Sequence, residues 1–327
     1  MVSSKTNALN AVLLIATLAA SGIAMAQPLA KVQILTFGPP SLGALLPPVI
    51  TSQKLDEKNG LSIDFQQRPP TAYTAQFNSG EFKVGGSAAL LTVGLADLRG
   101  VKVTYLFNIF DYWGTVVTSR PEVKTLKDLE GKEIAAAKAT TNFRLFEFLA
   151  TQQGVDVSKL KVVNTAPPGL VGYALADRAA AIQTWEPAYT VLRAKKPTIQ
   201  TIDLKIDETW KKFSGSTNFP YLGVAAHSDW AKANAALIPK LYTAYKDAAD
   251  WVLAHPDEAA KIVQAKGTPE DQKAIADLLR ANDRLGMKVV WASTVRKEIE
   301  SVYAAGQTLK FLDGAPSGDT IYEAPKK

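Results

Sequence analysis

Short apolar runs alternate along this chain with segments of helical period, and that alternation restricts the fold more than any other feature. Apolar runs at residues 32–37, 61–65, 82–85 and 101–107 are separated by helical patterns at 42–59, 71–79 and 87–99. The pattern restarts after a charged turn at 124–131. Strands are expected at 133–137, 161–164 and 179–184, with helices at 142–153 and 170–176 and another beginning near Pro187. A strand at 221–226 then leads into a helical third, with helices at 240–254, 257–266, 270–280 and 294–305. Strands interleaved with helices imply mostly parallel sheets flanked by helices, an α/β architecture. The chain has 327 residues, too many for one ordinary core, so two lobes are expected. Ligands of such sheets sit outside the carboxyl ends of the strands, and two facing lobes would define a cleft there.

The N-terminus bears on the compartment. Lys5 is the only charge in the first 30 residues, and an apolar core at 11–20 precedes the small-residue sequence Ala24-Met25-Ala26. This is the pattern of a cleaved signal peptide, residues 1–26, with the mature chain starting at Gln27. The core is shorter than the ~20 residues that span a bilayer. Cysteine is absent from the sequence, which removes thiol nucleophiles, thiolate metal sites and the attachment point of a lipid anchor. A chain this long can bury a sufficient core without disulfides. A periplasmic protein without a lipid anchor is therefore expected.

The net charge is +6, with the basic residues spread along the chain rather than gathered into a nucleic-acid arm. His227 and His255 are the only histidines and form no zinc-binding spacing. Neither a G-x-S-x-G elbow nor a P-loop occurs. No catalytic residue, cofactor or metal is expected, and no nucleic-acid partner.

Three strand-to-helix turns stand out as binding candidates: Phe37-Gly38-Pro39-Pro40-Ser41, Gly85-Gly86-Ser87, and Ala139-Thr140-Thr141-Asn142. Each places small or hydroxyl residues where a helix N-terminus presents free N–H groups to an anion. Taken turn by turn, Ser87, Thr141 and Asn142 read first as ordinary helix caps. Trp185 offers a face to an apolar or cationic ligand, and Glu186 suits either an amine or a neighbouring helix end. Tyr112 and Asn218 lie in aromatic clusters, Asp111-Tyr112-Trp113 and Asn218-Phe219-Pro220-Tyr221, that suit either a pocket or hinge packing. Arg144, in a helix first turn, and Arg68 are candidate anion partners, with Arg68 read as a solvated surface residue.

Several segments, in order, resemble the nitrate/sulfonate/taurine-type periplasmic binding proteins of ABC importers, relatives of the thiamine-pyrimidine binding proteins. They are GEFKVGGSAALLTVGLADLRGVKV (80–103), TLKDLEGKEIAAAKATT (125–141), AAAIQTWEPAYTVL (179–192) and the stretch 218–251. The resemblance implies a two-lobe, type II periplasmic-binding fold with two crossover hinge segments, near 115–119 and 221–226. Residues 27–117 and 219–327 would form lobe 1, and residues 118–218 lobe 2. Lys83, where the family usually carries Asp, and Asp177-Arg178 depart from its pattern. The resemblance favours ligand contact at the second and third turns and at Trp185. It implies a monomeric carrier that delivers a small organic anion, a sulfonate or carboxylate, aromatic or aliphatic, to an inner-membrane permease with a cytoplasmic ATPase. A same-fold enzyme of thiamine-pyrimidine metabolism and a ligand-presenting sensory protein are the alternatives.

Overall fold

The structure is a computed structural model that describes residues 28–325; the expected signal peptide lies outside them. Strand β1 (Ala30–Phe37) leads through a 3₁₀ turn (Leu42–Ala44) into α1 (Leu46–Ser52) and α2 (Leu55–Lys58). The single helix expected over 42–59 is broken, because prolines open α1 and Lys54 takes a left-handed φ of 51° before α2. There follow β2 (Leu61–Arg68), α3 (Pro70–Asn78), β3 (Val84–Ala89), α4 (Leu90–Leu98) and β4 (Val103–Asp111).

The chain then crosses to a second sheet. Strand β5 (Thr115–Thr118) is followed by β6 (Glu133–Ala136), α5 (Thr141–Gln152), β7 (Lys161–Asn164) and α6 (Pro167–Leu175). After these come β8 (Ala181–Thr184), α7 (Ala188–Lys195), β9 (Gln200–Ile202) and α8 (Ile206–Ser214). The chain returns with β10 (Pro220–His227), α9 (Ser228–Ala233), α10 (Ile238–Ala254), α11 (Pro256–Val263) and α12 (Pro269–Ala281). The short β11 (Val290–Trp291) and α13 (Arg296–Thr308) complete it. No helix among the described residues is long and apolar enough to cross a membrane.

The first sheet has strand order β11-β4-β10-β3-β1-β2 and the second β7-β6-β8-β5-β9. The β1–β2, β1–β3, β6–β7 and β6–β8 pairs are parallel. Antiparallel pairing enters with the strands that adjoin the crossings: β10 pairs with β3 and β4, and β5 with β8 and β9. Strand β10 comes back from the second sheet and wedges between two strands of the first, so it runs against both. Its residues are buried throughout, as are those of β3, which is why both read as unbroken apolar or small-residue runs.

The crossings themselves are Tyr112–Gly114 and the stretch from α8 to Phe219, slightly displaced from the positions expected for them. Residues 115–118 and 221–226 are strands of the sheets the crossings enter. The two crossings lie side by side, with the Tyr112 amide donating to the Phe219 carbonyl at 2.7 Å. Aromatic rings fill this junction: Tyr112 packs on Phe219 and Tyr221, and Trp210 stacks on Phe219 at 3.7 Å.

Candidate functional site

A cavity of about 340 Å³ opens at the carboxyl ends of the strands of both sheets. Phe37 to Leu42 line it after β1, Gln67 to Pro70 and Thr74 after β2, and Ala89 and Thr92 after β3. From the second sheet come Ala139 to Thr141 after β6, Ala166 to Pro168 after β7, and Trp185 after β8; Tyr221 and Leu222 of β10 form the base. This is the position at which open α/β sheets bind ligands, because helix N-termini converge there. The lining is predominantly apolar. Its one charged residue among the described residues, Arg68, donates from Nε to Gln76 at 2.9 Å and from Nη1 to the Gln67 carbonyl at 2.8 Å. Arg68 makes no ion pair among the described residues.

Two helix N-termini meet at the cavity wall. The hydroxyls of Thr92, in the first turn of α4, and Thr141, which opens α5, are 3.1 Å apart. Helix α4 has no side-chain cap, so its first amides are left to solvent or ligand. Helix α5 is capped by Thr140, whose hydroxyl accepts from the Phe143 amide at 3.2 Å. The cap consumes one amide; those of Thr141 and Asn142 remain.

Of the residues singled out in the sequence, Pro39, Ser41, Thr140, Thr141 and Trp185 line this cavity, and Arg68 joins them. Arg68, half-buried, is the one of the two arginine anion candidates that reaches the cavity. Gly85-Gly86-Ser87 is not a turn. It lies inside β3, and the strand reaches its helix only at Ala89–Leu90, where neither residue carries a cue of its own. Ser87 is fully buried and accepts from the Phe37 amide at 2.9 Å, tying β3 to β1. A Cβ on Gly86 would stand 2.7 Å from the Tyr245 hydroxyl, so glycine there admits α10 to the sheet rather than a ligand to the backbone.

Asn142 and Tyr112 sit behind the cavity. Asn142, 0% exposed, accepts from Gln183 Nε2 at 2.7 Å and donates to the Trp113 carbonyl at 3.3 Å. The Tyr112 hydroxyl donates to the Asn142 carbonyl at 3.3 Å. Burial pushes the phenols of Tyr112 and Tyr221 well above their usual range, with a hydrogen bond to Asn142 opposing it for Tyr221. Both rings are therefore neutral donors at any physiological pH. Asn218 is exposed and lies in the second crossing, where its carbonyl accepts from Trp210 Nε1 at 2.7 Å. Arg144 pairs with Glu147 at 2.6 Å outside the cavity lining, which accounts for a positive charge at the start of a helix.

Glu186 is 1% exposed, and its carboxylate is saturated by this chain. It accepts from the Thr190 amide at 3.1 Å, the Thr190 hydroxyl at 2.9 Å and Arg284 Nε at 2.6 Å. Burial raises its carboxyl above the usual carboxylate range, against the pull of Arg284 and Thr190. Arg284, which sequence reasoning passed over, lies just past α12 and leans over the rings of Trp113 and Tyr189. It thereby joins the first crossing, α7 and the segment returning to the first sheet. Nothing in the local sequence around Arg284 marks it.

On the far side of the crossings lies a polar cleft of about 620 Å³, lined by Asp111, Trp113, Lys205, Asp283 and Arg284 among others. Among the described residues no group of three or more His, Cys, Asp or Glu side chains is placed to hold a metal ion. Asp111 closes β4 here and accepts from Asn108 Nδ2 at 3.1 Å. Burial pushes its carboxyl up to about 6, with Asn108 and Lys288 opposing. A raised native value means that the folded state holds the proton more tightly than the unfolded one. The stability this gives is full below the unfolded value near 4 and is lost as pH rises through about 6. Between pH 4 and 7 the wild type is therefore expected to lose about 1–3 kcal/mol through this group. Urea unfolding of Asp111→Asn across the same range should lack that component.

An α/β chain that crosses twice between two mixed sheets, with a cavity at the facing strand ends, has the fold of the periplasmic binding proteins. The chain belongs to the NMT1/THI5-like family, which it matches over residues 57–259. Among solved structures it is similar to the alkanesulfonate-binding protein SsuA from Xanthomonas axonopodis pv. citri bound to MOPS. That similarity has a TM-score of 0.71 at 15% identity and covers 91% of this chain and 99% of the other. The periplasmic aliphatic sulphonate binding protein SsuA from Escherichia coli gives a TM-score of 0.67 at 15% identity, over 90% and 96% of the two chains. A protein from Bordetella bronchiseptica RB50 gives 0.70 at 20% identity, over 84% and 89%. At these identities the likeness is one of fold. No curated protein sequence matches the chain.

Proposed function

We propose that this protein is the periplasmic solute-binding component of an ABC importer. In this reading residues 28–114 and 219–325 belong to one lobe and residues 115–218 to the other, the first boundary falling at the crossing before β5 rather than after 117. The lobes close on a small organic anion, a sulfonate or carboxylate, and present it to a membrane permease served by a cytoplasmic ATPase. The observation that carries this reading is the placement of Arg68, without a carboxylate partner among the described residues, on the wall of an otherwise uncharged cavity. The first turns of α4 and α5, which meet at the same cavity, add N–H donors. A ligand touching both Thr92 and Thr141 binds the closed arrangement better than an open one, and so shifts the population toward closure.

A thermal-shift screen tests it, with alkyl and aryl sulfonates, carboxylates, nitrate and neutral pyrimidines. A ligand that binds only the native state raises the melting temperature by mass action, contributing ~2.7 kcal/mol at a hundredfold excess over Kd. Shifts confined to organic anions are the expected result; shifts with pyrimidines alone would overturn the anion assignment. Arg68→Gln removes a charge-assisted contact to the anion and should weaken its binding about tenfold or more. Because Arg68 is half-exposed, the melting temperature of the free variant should change little.

A further inference from the structure

Two ion pairs join the lobes among the described residues. Lys195 of α7 lies 3.8 Å from Asp271 of α12, and Arg284 Nε donates to Glu186 at 2.6 Å. Arg284 belongs to a segment anchored on the first sheet. There the Asp111 amide donates to the Leu285 carbonyl at 3.3 Å, and the Lys288 amide to the Ile109 carbonyl at 2.9 Å. Glu186 belongs to the second sheet and directly follows Trp185, which lines the cavity. Helix α12, which leads into Arg284, packs along α11 of its own lobe and α7 of the other. The contacts that cross between the lobes are unequal. Thr92 and Thr141 join two neutral hydroxyls, and Lys195 is exposed, so each contributes little. Glu186 is buried, and a rotation of the lobes that drew Arg284 away would strand its charge with only Thr190 for a partner.

We infer that Arg284 is a positioning residue for ligand binding, a cross-lobe tie that acts through Glu186 without touching the cavity. From one lobe it holds the Trp185–Glu186 turn of the other, and so favours the arrangement in which both lobes wall the cavity before any ligand arrives. This rests on the two-lobe carrier reading above. Ligand contacts then add to a bias that the chain supplies itself, and the ligand meets a partly preformed site.

Double electron–electron resonance on the ligand-free protein tests this. Cysteine is absent from the sequence, so Ala75→Cys on α3 and Gly172→Cys on α6 carry the only spin labels. Both sites are exposed, on helices that open at the cavity from the two lobes, and a side chain at Gly172 meets nothing within 4 Å. Arg284→Ala should raise the longer-distance component relative to the shorter about tenfold, with the far-ultraviolet circular dichroism of the folded protein retained. Arg284→Lys, which keeps a cation opposite Glu186, should stay within about threefold of the labelled parent. A distance distribution of Arg284→Ala that matches the parent would leave Arg284 a stabilising residue only and overturn the tie. A shift in Arg284→Lys as large as in Arg284→Ala would place the effect in packing on Trp113 and Tyr189, and would overturn the tie as well. Glu186→Gln removes the charge but keeps a hydrogen-bonding group, and should shift the ratio about threefold. It decides the question if Arg284→Ala does not fold, an unchanged ratio again overturning the tie. The carrier reading fails on separate grounds, a flat thermal-shift screen of the wild type, which these ligand-free distances do not depend on.

Discussion

Replacing Arg284 by alanine is expected to destabilise the protein by about 3 kcal/mol. The carboxylate of Glu186 stays behind, buried, with Thr190 as its remaining partner. Removing one member of a buried pair leaves a desolvated charge, and that penalty exceeds what the pair contributed when whole. Arg284 is itself about 30% exposed, which places the expectation at the lower end of the range for such pairs. The sign of the pH dependence follows from the direction of the shift at Glu186. Its native value is already raised, and loss of Arg284 raises it further, so the protonated form becomes the native one at lower cost. The deficit of the variant should therefore shrink as pH falls below the native value of Glu186 and widen toward neutral pH. Urea unfolding at several pH values measures it. A deficit that does not change with pH would mean that lost packing on Trp113 and Tyr189, not an orphaned charge, is the cause. Glu186→Gln, which keeps a hydrogen-bonding group in place, should cost less than Arg284→Ala at neutral pH.

Asn142→Leu should cost about 2–4 kcal/mol by a different route. The Asn142 side chain is the acceptor for Gln183 Nε2, and the Gln183 side-chain oxygen, Oε1, has no partner among the described residues. Leucine would leave the whole Gln183 amide buried and largely unsatisfied, and would also take the donor from the Trp113 carbonyl in the crossing. An unpaired buried polar group costs its full desolvation, whereas replacing both partners by apolar groups of similar shape can be nearly neutral. The double variant Asn142→Leu, Gln183→Leu should therefore recover more than half of the loss, as read from denaturant midpoints at constant m-value. Failure to recover would place the importance of Asn142 in its contact with the crossing rather than with Gln183. Either way the experiment addresses why a residue at the start of α5, where a ligand contact was expected, is turned into the protein.

The sequence reading and the structure part company at identifiable residues. The turn after β6 was legible because hydroxyl residues directly precede a strongly amphipathic helix, and Thr140 does cap α5. The turn after β3 was misplaced by a few residues, since Gly85, Gly86 and Ser87 carry turn chemistry but lie in a strand. Small residues are there because α10 and α3 press close against the sheet, a reason that lies in distant segments of chain. The paired prolines at 39–40, 69–70 and 167–168 were available as a repeated strand-Pro-Pro-helix pattern, and only the first pair drew notice. Arg284 could not have been found, as 98 residues separate it from Glu186.

By itself the sequence determined the fold class, through the alternation of apolar runs with helical periods, and placed Thr140, Thr141, Trp185 and Pro39 at strand ends. These are local properties: the period of side chains along a segment, and the chemistry of the residues that end it. Tertiary structure alone decided which of the candidates share a cavity, that Arg68 faces it, and that Glu186 and Asn142 are spent on the protein's own contacts. Those outcomes depend on which remote group reaches a given side chain first. A buried carboxylate or amide must be satisfied by whatever the fold brings to it, and no local pattern encodes that partner.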